Sequence, residues 1–256
     1  MNTALSVEWL KFRRSPMPRV ATVLVGVLTP LMAVGLVALA RGDLLSGPSK
    51  EKFAVALVGT PSEAHLALEN QILAVAMVLC GGLVAAWLFG REFVEGTLGS
   101  LFGLPVSRTD VALAKATIAA AWGVSVAALA TLATLLVSWV AAPATMDGHI
   151  VRHALTVFGA GAIMGLLGLP FGWLAILTRG YMGPFTGLIL VTAFGQMAAA
   201  IGWGYWVPYV VPALWAGAGG ADAAALVTPW ELAFALAFAV AGGVITVRAF
   251  RRVRIS

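Results

Sequence analysis

The segment Gly90–Lys115 carries closely spaced charged residues between two long hydrophobic stretches. Glu92 and Glu95 are three residues apart, so a helix would place both carboxylates on one face. Gly96 then lowers helical propensity, and Pro105 forces a break because its ring removes a donor and crowds the preceding turn. The pattern predicts a short polar helix, a hinge and a new helix start at a membrane surface. The alternative is a solvated connector between two membrane spans.

Three sites in the sequence carry helix-start signals. Ser107 and Asp110 form a variant capping box, in which the serine caps the helix and the acid at the third position reaches back. Residues 60–63 and 228–231 repeat one pattern, a threonine cap followed by proline and, at the third position, glutamate. These signals predict where three of the helices begin.

Motifs for catalysis or metal binding are missing from the sequence. There is no G-x-x-x-x-G-K-[ST] nucleotide loop, so the chain is not expected to hydrolyse ATP. Cys80 is the only cysteine and lies in an apolar run, which excludes a disulfide framework. His149 and His153 are four residues apart, but a metal site needs further ligands, and two interfacial histidines are the favoured interpretation. No metal site is predicted.

Gln196 is the clearest polar side chain within a hydrophobic stretch of the chain. It either faces a substrate path or hydrogen-bonds a neighbouring helix, and the second role is the more common one. No series of carboxylates is evident inside the hydrophobic stretches. An ion-driven carrier usually needs such a series, so this class of transporter is disfavoured.

The composition is that of a membrane protein. Of the 256 residues, 61% are hydrophobic and 11% charged, whereas soluble domains carry about 25% charged residues. The net charge of +5 does not indicate nucleic-acid binding, because the basic residues lie at the ends of hydrophobic stretches. We expect one transmembrane domain over residues 1–256 and no separate catalytic domain.

Residues 1–19 are predicted to form an interfacial amphipathic helix. Three apolar residues recur at i, i+4 and i+7 and would line one face: Leu5, Trp9 and Phe12. The basic residues, which suit anionic headgroups, are Lys11, Arg13 and Arg14. Trp9 is expected at headgroup depth.

Six hydrophobic stretches are long enough to cross a bilayer, which needs about 20 residues. They cover approximately residues 20–40, 71–89, 111–142, 154–177, 183–203 and 230–247. The first exceeds the ~7–15 apolar residues of a signal-peptide core and is therefore interpreted as a span. Pro208 and Pro212 interrupt residues 204–227, which predicts a short re-entrant or interfacial segment before the sixth span.

The distribution of Lys and Arg predicts the orientation. With six spans, 12 of the 16 basic residues fall on the side of both chain ends and of the Gly90–Lys115 segment. The positive-inside rule places that side in the cytoplasm. The expected location is the inner (plasma) membrane, with several passes and both termini cytoplasmic.

The central segment resembles the loop between the second and third spans of type-2 ATP-binding-cassette (ABC-2) exporter permeases. The residues that match the E-x-x-E-G-T … L-P-[VI]-S-R … K pattern of this family are Glu92, Glu95, Gly96, Thr97, Leu104, Pro105, Ser107, Arg108 and Lys115. The amino-terminal E-x-x-K-x-x-R, formed by Glu8, Lys11 and Arg14, resembles the interfacial helix of the same family.

The resemblance implies a permease subunit that pairs with a second copy or a sister permease. Each permease would bind a separate ATP-binding-cassette subunit, which would hold ATP and Mg²⁺, so no cofactor is implied in this chain. The loop after the second span would be the coupling helix. Glu92 and Glu95 would dock the ATPase or anchor that helix, Pro105 would serve as part of the lever, and Arg108 and Lys115 would fix the start of the third span.

The implied cargo is a drug, an antimicrobial peptide or a lipid-like molecule leaving the cytoplasm or inner leaflet. Two alternatives stay open at the level of sequence. One is a membrane-embedded immunity or scaffold protein that binds a ligand without pumping it, and the other is an ion-coupled carrier. A nucleotide-loop ATPase encoded by the neighbouring reading frame would favour the exporter.

Overall fold

A computed structural model describes residues 2–42, 59–103, 105–143 and 147–253, and within these ranges the regular elements are all helical. Six helical segments are long and apolar enough to cross a membrane. The predicted all-α architecture with six spans is confirmed. The helices pack around one principal hydrophobic core.

The chain-order labels used below are α1 (Asn2–Arg14), α2 (Pro16–Val23), α3 (Thr29–Arg41), α4 (Pro61–Val94), α5 (Leu98–Phe102), α6 (Arg108–Ala141), α7 (Gly148–Leu166), α8 (Pro170–Leu177), α9 (Met182–Ala200), α10 (Val211–Trp215), α11 (Ala221–Ala225) and α12 (Pro229–Arg251). A π-helical turn, Leu24–Leu28, joins α2 to α3. The first span is α2–α3, the second α4, the third α6, the fourth α7–α8, the fifth α9 and the sixth α12.

The predicted helix starts are present. Thr60 and Glu63 form a capping box at the start of α4, and Thr228 and Glu231 form another at the start of α12. The Ser107 hydroxyl accepts a hydrogen bond of 3.0 Å from the backbone N–H of Asp110 at the start of α6. These caps satisfy backbone donors that a helix terminus leaves without partners.

Two of the spans are longer than a bilayer requires. The helices α4 and α6 have 34 residues each, which corresponds to about 51 Å, against a hydrocarbon core of ~30 Å. The prediction for the second span covered only residues 71–89. The helix therefore extends beyond the predicted span at both ends and includes Glu69 and Glu92, two buried carboxyl groups.

Glycines bring the second, third and fourth spans into backbone contact. A Cβ atom built on Gly81 would lie 3.2 Å from the carbonyl oxygen of Gly165, and one built on Gly165 would lie 3.1 Å from Cα of Gly123. One built on Gly168 would lie 2.5 Å from the carbonyl carbon of Gly81. Small residues allow this close approach, which supplies packing energy between helices in lipid.

The fourth span is broken between α7 and α8. Pro170 begins α8, and its missing N–H cannot continue the hydrogen-bond ladder of α7. The Thr246 hydroxyl of the sixth span lies 3.0 Å from the carbonyl oxygen of Leu169 at this break and 2.8 Å from that of Gly242, so its single proton is shared between two acceptors. The sixth span thereby supplies a partner for a carbonyl near the break.

The proline-rich stretch before the sixth span forms short pieces instead of one helix. These are a 3₁₀ turn, Gly204–Trp206, followed by α10 and α11. The Asn70 side-chain amide of the second span donates a hydrogen bond of 2.9 Å to the carbonyl of Ala213 in α10. That contact holds the stretch against the bundle. Its depth in the membrane stays a prediction.

Candidate functional site

Four charged side chains meet at the end of the bundle where the second span stops and the third begins. Lys115 of α6 is fully buried, and its Nζ lies 2.7 Å from Glu92 Oε1 and 2.9 Å from Glu8 Oε2. The same ammonium donates a hydrogen bond of 2.6 Å to the carbonyl of Leu88. Lys11 Nζ lies 2.6 Å from Glu8 Oε1 and 3.6 Å from Glu92 Oε1. We call these four charged residues the charge cluster.

The charge cluster joins three helices that are far apart in the sequence. Glu8 and Lys11 belong to α1, Glu92 to the last turn of α4, and Lys115 to the third turn of α6. Two carboxylates and two ammonium groups balance, so the buried site carries no net charge. A buried ion pair tolerates its desolvation only when each charge keeps a close partner. The three helix ends are thus held in one arrangement.

The electrostatics of Glu8 follow from its neighbours. Burial alone raises the pKa of the Glu8 carboxyl, but the attraction of Lys115 and Lys11 outweighs it, so the pKa lies below its ordinary value. Glu8 Oε2 is an ion-pair neighbour of Lys115 but does not meet hydrogen-bond geometry. The carboxylate is held by this ion pair and by the hydrogen bond of 2.6 Å that Lys11 Nζ donates to Oε1.

Aromatic rings close the site on the side of the sixth span. Phe250 of α12 is fully buried, and its ring centre lies 6.0 Å from Lys115 Nζ. Phe89 packs edge-on against Phe250, with ring centres 5.8 Å apart. These rings exclude water from Lys115, which strengthens its electrostatic interactions with the two carboxylates.

The helix α1 packs against the bundle along one stripe of residues. Ala4, Glu8 and Phe12 are buried, whereas Leu5 and Trp9 are exposed. Phe12 nevertheless stacks on Trp9, with ring centres 5.9 Å apart, and the interfacial role of this apolar face stays a prediction. The buried residues recur at i, i+4 and i+8 and include Glu8. Glu8 can be buried because Lys115 pairs with it, a contact that the sequence pattern could not show. Arg14 is exposed on this helix.

The two acidic residues of the central segment do not share one exposed face. Glu92 is buried in the charge cluster, whereas Glu95 is the C-cap of α4, with a side chain 45% exposed and 3.3 Å from Arg91. Residues three apart differ by about 60° around a helix, so one lies on the side that packs against α6 and the other on the exposed side. Gly96, with φ of 67°, then turns the chain through the left-handed region that favours glycine.

The rest of the loop forms the short helix α5, which follows Thr97 directly. Pro105 lies in the non-helical connection between α5 and α6, as predicted. Leu104 lies outside the described residues. Arg108 Nη1 donates a hydrogen bond of 2.8 Å to the carbonyl of Val253, so the start of the third span is tied to the end of the sixth.

Gln196 lies on a cavity of about 570 Å³ between the second, fourth and fifth spans and the segment before the sixth. Gln71 and Thr192 also line this cavity, whose walls are mostly apolar. The Thr192 hydroxyl is buried without a hydrogen-bond partner in the described part of the chain. Tyr209 borders the cavity as well, and burial raises the pKa of its hydroxyl. Such a site suits an apolar ligand with a few hydrogen-bonding groups.

Sequence reasoning missed a buried polar stripe on the first turns of α4. Ser62, His65 and Glu69 are buried. His65 Nδ1 lies 2.8 Å from the Ser138 hydroxyl, which in turn donates a hydrogen bond of 3.1 Å to Ser62. The spacing i, i+3, i+7 after the capping box at Thr60 is the signal that could have revealed this stripe.

Residues 4–196 match the model of the family described as ABC-2 family transporter protein. The chain belongs to this family. The matched range includes the whole charge cluster, the loop after the second span and Gln196. Together with six apolar helices, membership makes the chain a multi-pass membrane protein of the ABC-2 transporter family.

This ABC-2 chain is also similar to the bacitracin transport permease protein of Bacillus licheniformis. The two are 24% identical over 117 residues, which cover 45% of this chain and 56% of the relative. The match thus spans little more than half of that relative.

Within the described residues, no group of three His, Cys, Asp or Glu side chains converges to hold a metal ion.

Proposed function

We propose that this chain is the permease subunit of an ATP-driven ABC exporter, in which a separate ATP-binding-cassette subunit binds Mg²⁺-ATP and hydrolyses it. Membership in the ABC-2 family supports a transport role. The charge cluster is the observation that carries the proposal. It fastens α1 and the ends of two spans together directly beside the loop of residues 95–107.

The loop is the contact surface for the ATPase in this proposal. Glu95, Thr97 and Ser100 are exposed on it, and Glu92 one turn earlier is buried in the charge cluster. A displacement of the loop would therefore move the ends of α4, α6 and α1 together. ATP-driven closure of the ATPase can shift the membrane helices between two conformations only if the ATPase binds the loop more tightly in one conformation than in the other.

The cavity bordered by Gln196 is the proposed start of the substrate path. Its apolar walls and its amide and hydroxyl groups suit an amphipathic cargo such as a drug, an antimicrobial peptide or a lipid-like molecule. The similarity to the bacitracin transport permease protein favours a peptide antibiotic as the cargo. Export proceeds from the cytoplasm or inner leaflet in this proposal.

The exporter is proposed to contain two permeases, either two copies of this chain or this chain with a sister. The fifth and sixth spans expose large apolar side chains that lipid or a second permease would cover, among them Phe185, Leu190, Phe194, Phe234 and Val240. The proposed location is the plasma membrane, with both termini in the cytoplasm.

The test is a charge reversal on the loop. Glu95→Arg, co-expressed with the ATPase of the neighbouring reading frame, is expected to reduce co-purification of the ATPase and ATP-dependent uptake into inside-out vesicles. A loss of about tenfold corresponds to ~1.4 kcal/mol of contact energy. Asp222→Arg is the matched control, because Asp222 is exposed in α11, beyond the fifth span.

The control variant is expected to behave as the unmodified chain. Unchanged uptake and co-purification with Glu95→Arg would contradict docking at this loop. Uptake by the purified permease without any ATPase subunit would contradict the exporter itself.

A further inference from the structure

Glu69 is a fully buried carboxyl group at the contact of the first three spans. It lies in the third turn of α4, about 12 Å along the helix from Pro61. The Thr29 hydroxyl of the first span lies 2.8 Å from its Oε1, and Thr134 of the third span lies beside the carboxyl. Its Oε2 has no hydrogen-bond partner within the described residues.

The threonine hydroxyls beside this carboxyl also have backbone carbonyls as acceptors. Thr29 Oγ1 lies 2.7 Å from the carbonyl oxygen of Val25, one turn earlier in its own chain. Thr134 Oγ1 lies 3.0 Å from the carbonyl oxygen of Ala130 in the same way. Each hydroxyl has a single proton. If each threonine keeps its hydrogen bond to the backbone carbonyl, its hydroxyl proton is used. A hydrogen bond between that threonine and Glu69 must then be donated by the carboxyl group.

Among the described residues, the neighbouring helices place no charge beside Glu69 that would stabilise a carboxylate. The first and third spans face Glu69 with Thr29 and Thr134, neither of which titrates. Lys115, the buried ammonium of the third span, is 19 residues from Thr134, or ~28 Å along the helix. An isolated carboxylate in an apolar interior is costly, whereas a carboxylic acid with one hydrogen bond is not.

The titratable neighbour on the second span itself is His65, one helical turn away. Its Nδ1 is occupied by the Ser138 hydroxyl, and Arg41 at the end of the first span acts on it electrostatically. Neither Arg41 nor His65 forms an ion pair with Glu69 within the described residues. The adjacent Asn70 side chain points to α10 and donates to the carbonyl of Ala213.

We propose that Glu69 is a proton-binding site of the membrane domain, occupied while the first three spans pack as described. The bound proton closes the hydrogen bond from Glu69 to Thr29 or Thr134. Loss of the proton leaves a carboxylate between the three helices, so release requires them to separate and admit water. Proton binding and the packing of these spans are therefore linked. The site depends on the membrane core alone and not on the identity of the ATPase partner.

The experiment is infrared spectroscopy of the purified full-length protein in lipid at neutral pH. The unmodified protein is expected to show the carbonyl band of a protonated carboxylic acid, shifted by exchange into D₂O. Glu69→Gln is expected to abolish this band. Asp222→Asn removes an exposed carboxyl and is expected to leave the band intact.

Thr29→Val keeps Glu69 and provides a second readout, which is valid even if Glu69→Gln folds poorly. The band is expected to persist and to move to higher frequency, because the acid loses a hydrogen-bond partner. Absence of the band in the unmodified protein, or its persistence in Glu69→Gln, overturns the proposal. Stabilisation by Na⁺ relative to choline that vanishes in Glu69→Gln also overturns it, because the site would then bind a metal cation.

Discussion

Lys115 is the residue on which the arrangement of the charge cluster depends, because it is the fully buried cation among two carboxylates and a second lysine. It contacts Glu8, Glu92 and a backbone carbonyl at 2.6 to 2.9 Å. Lys11 is partly exposed and can exchange some of its contacts for water. The two lysines therefore differ in the cost of their removal.

Lys115→Met is expected to destabilise the protein by about 3–5 kcal/mol, because it leaves two buried carboxylates with one partly exposed partner. Lys11→Met, the matched control, is expected to cost less, since its side chain is 29% exposed. Thermal unfolding in detergent measures both. Adding Glu8→Gln and Glu92→Gln to Lys115→Met is expected to recover stability. Equal losses for the two lysines would contradict the assignment.

Single residues also show what the sequence could and could not predict. The motif residues Glu8, Glu92 and Lys115 were recognisable, but their mutual contact was not, because they are separated by at least 23 positions and meet only in the packed structure. Glu69 was overlooked because it lies just before residues 71–89, the hydrophobic stretch that predicts the second span. The cap at Thr60 already indicated a helix that would contain it.

At the scale of elements, the six spans and the helix starts could be predicted because hydrophobic length and capping are local properties. The buried face of α1 could not be predicted, since it depends on the contact of Glu8 with Lys115 of α6. The break in the fourth span was also missed, although Pro170 is visible in the sequence. Proline breaks a helix, but only the contact with Thr246 shows how the broken end is satisfied.

The glycine contact between the second and fourth spans can be tested directly. Gly168→Ala is expected to cost about 1–3 kcal/mol, because its Cβ would lie 2.5 Å from the backbone of Gly81. Gly35→Ala in the first span is the control, since nothing lies within 4 Å of its built Cβ and alanine favours the helix. Thermal unfolding compares them, and similar losses would refute the close approach.

At the scale of the whole molecule, orientation rests on the distribution of basic residues and stays a prediction. The loop after the second span and the segment before the sixth are separated by three spans. They must therefore lie on opposite sides of the membrane. The single cysteine makes this separation simple to test.

In a Cys80→Ala background, Ser100→Cys on α5 and Asp222→Cys on α11 each introduce one exposed thiol. An impermeant maleimide is expected to label Asp222→Cys in intact cells and Ser100→Cys only after the membrane is opened, because the positive-inside rule predicts that the basic loop faces the cytoplasm. Mass shift on a gel measures labelling. The reverse pattern would show that the loop faces outward.

The glycine contacts among the second, third and fourth spans have a consequence for motion. Helices whose backbones touch at Gly81, Gly123 and Gly165 cannot slide past one another without opening voids, and packed interiors resist voids. Near these contacts the second, third and fourth spans therefore move as one body. Glu69 lies 12 residues, or ~18 Å, along α4 from Gly81, so a separation of helices at Glu69 has to hinge about the glycine contacts.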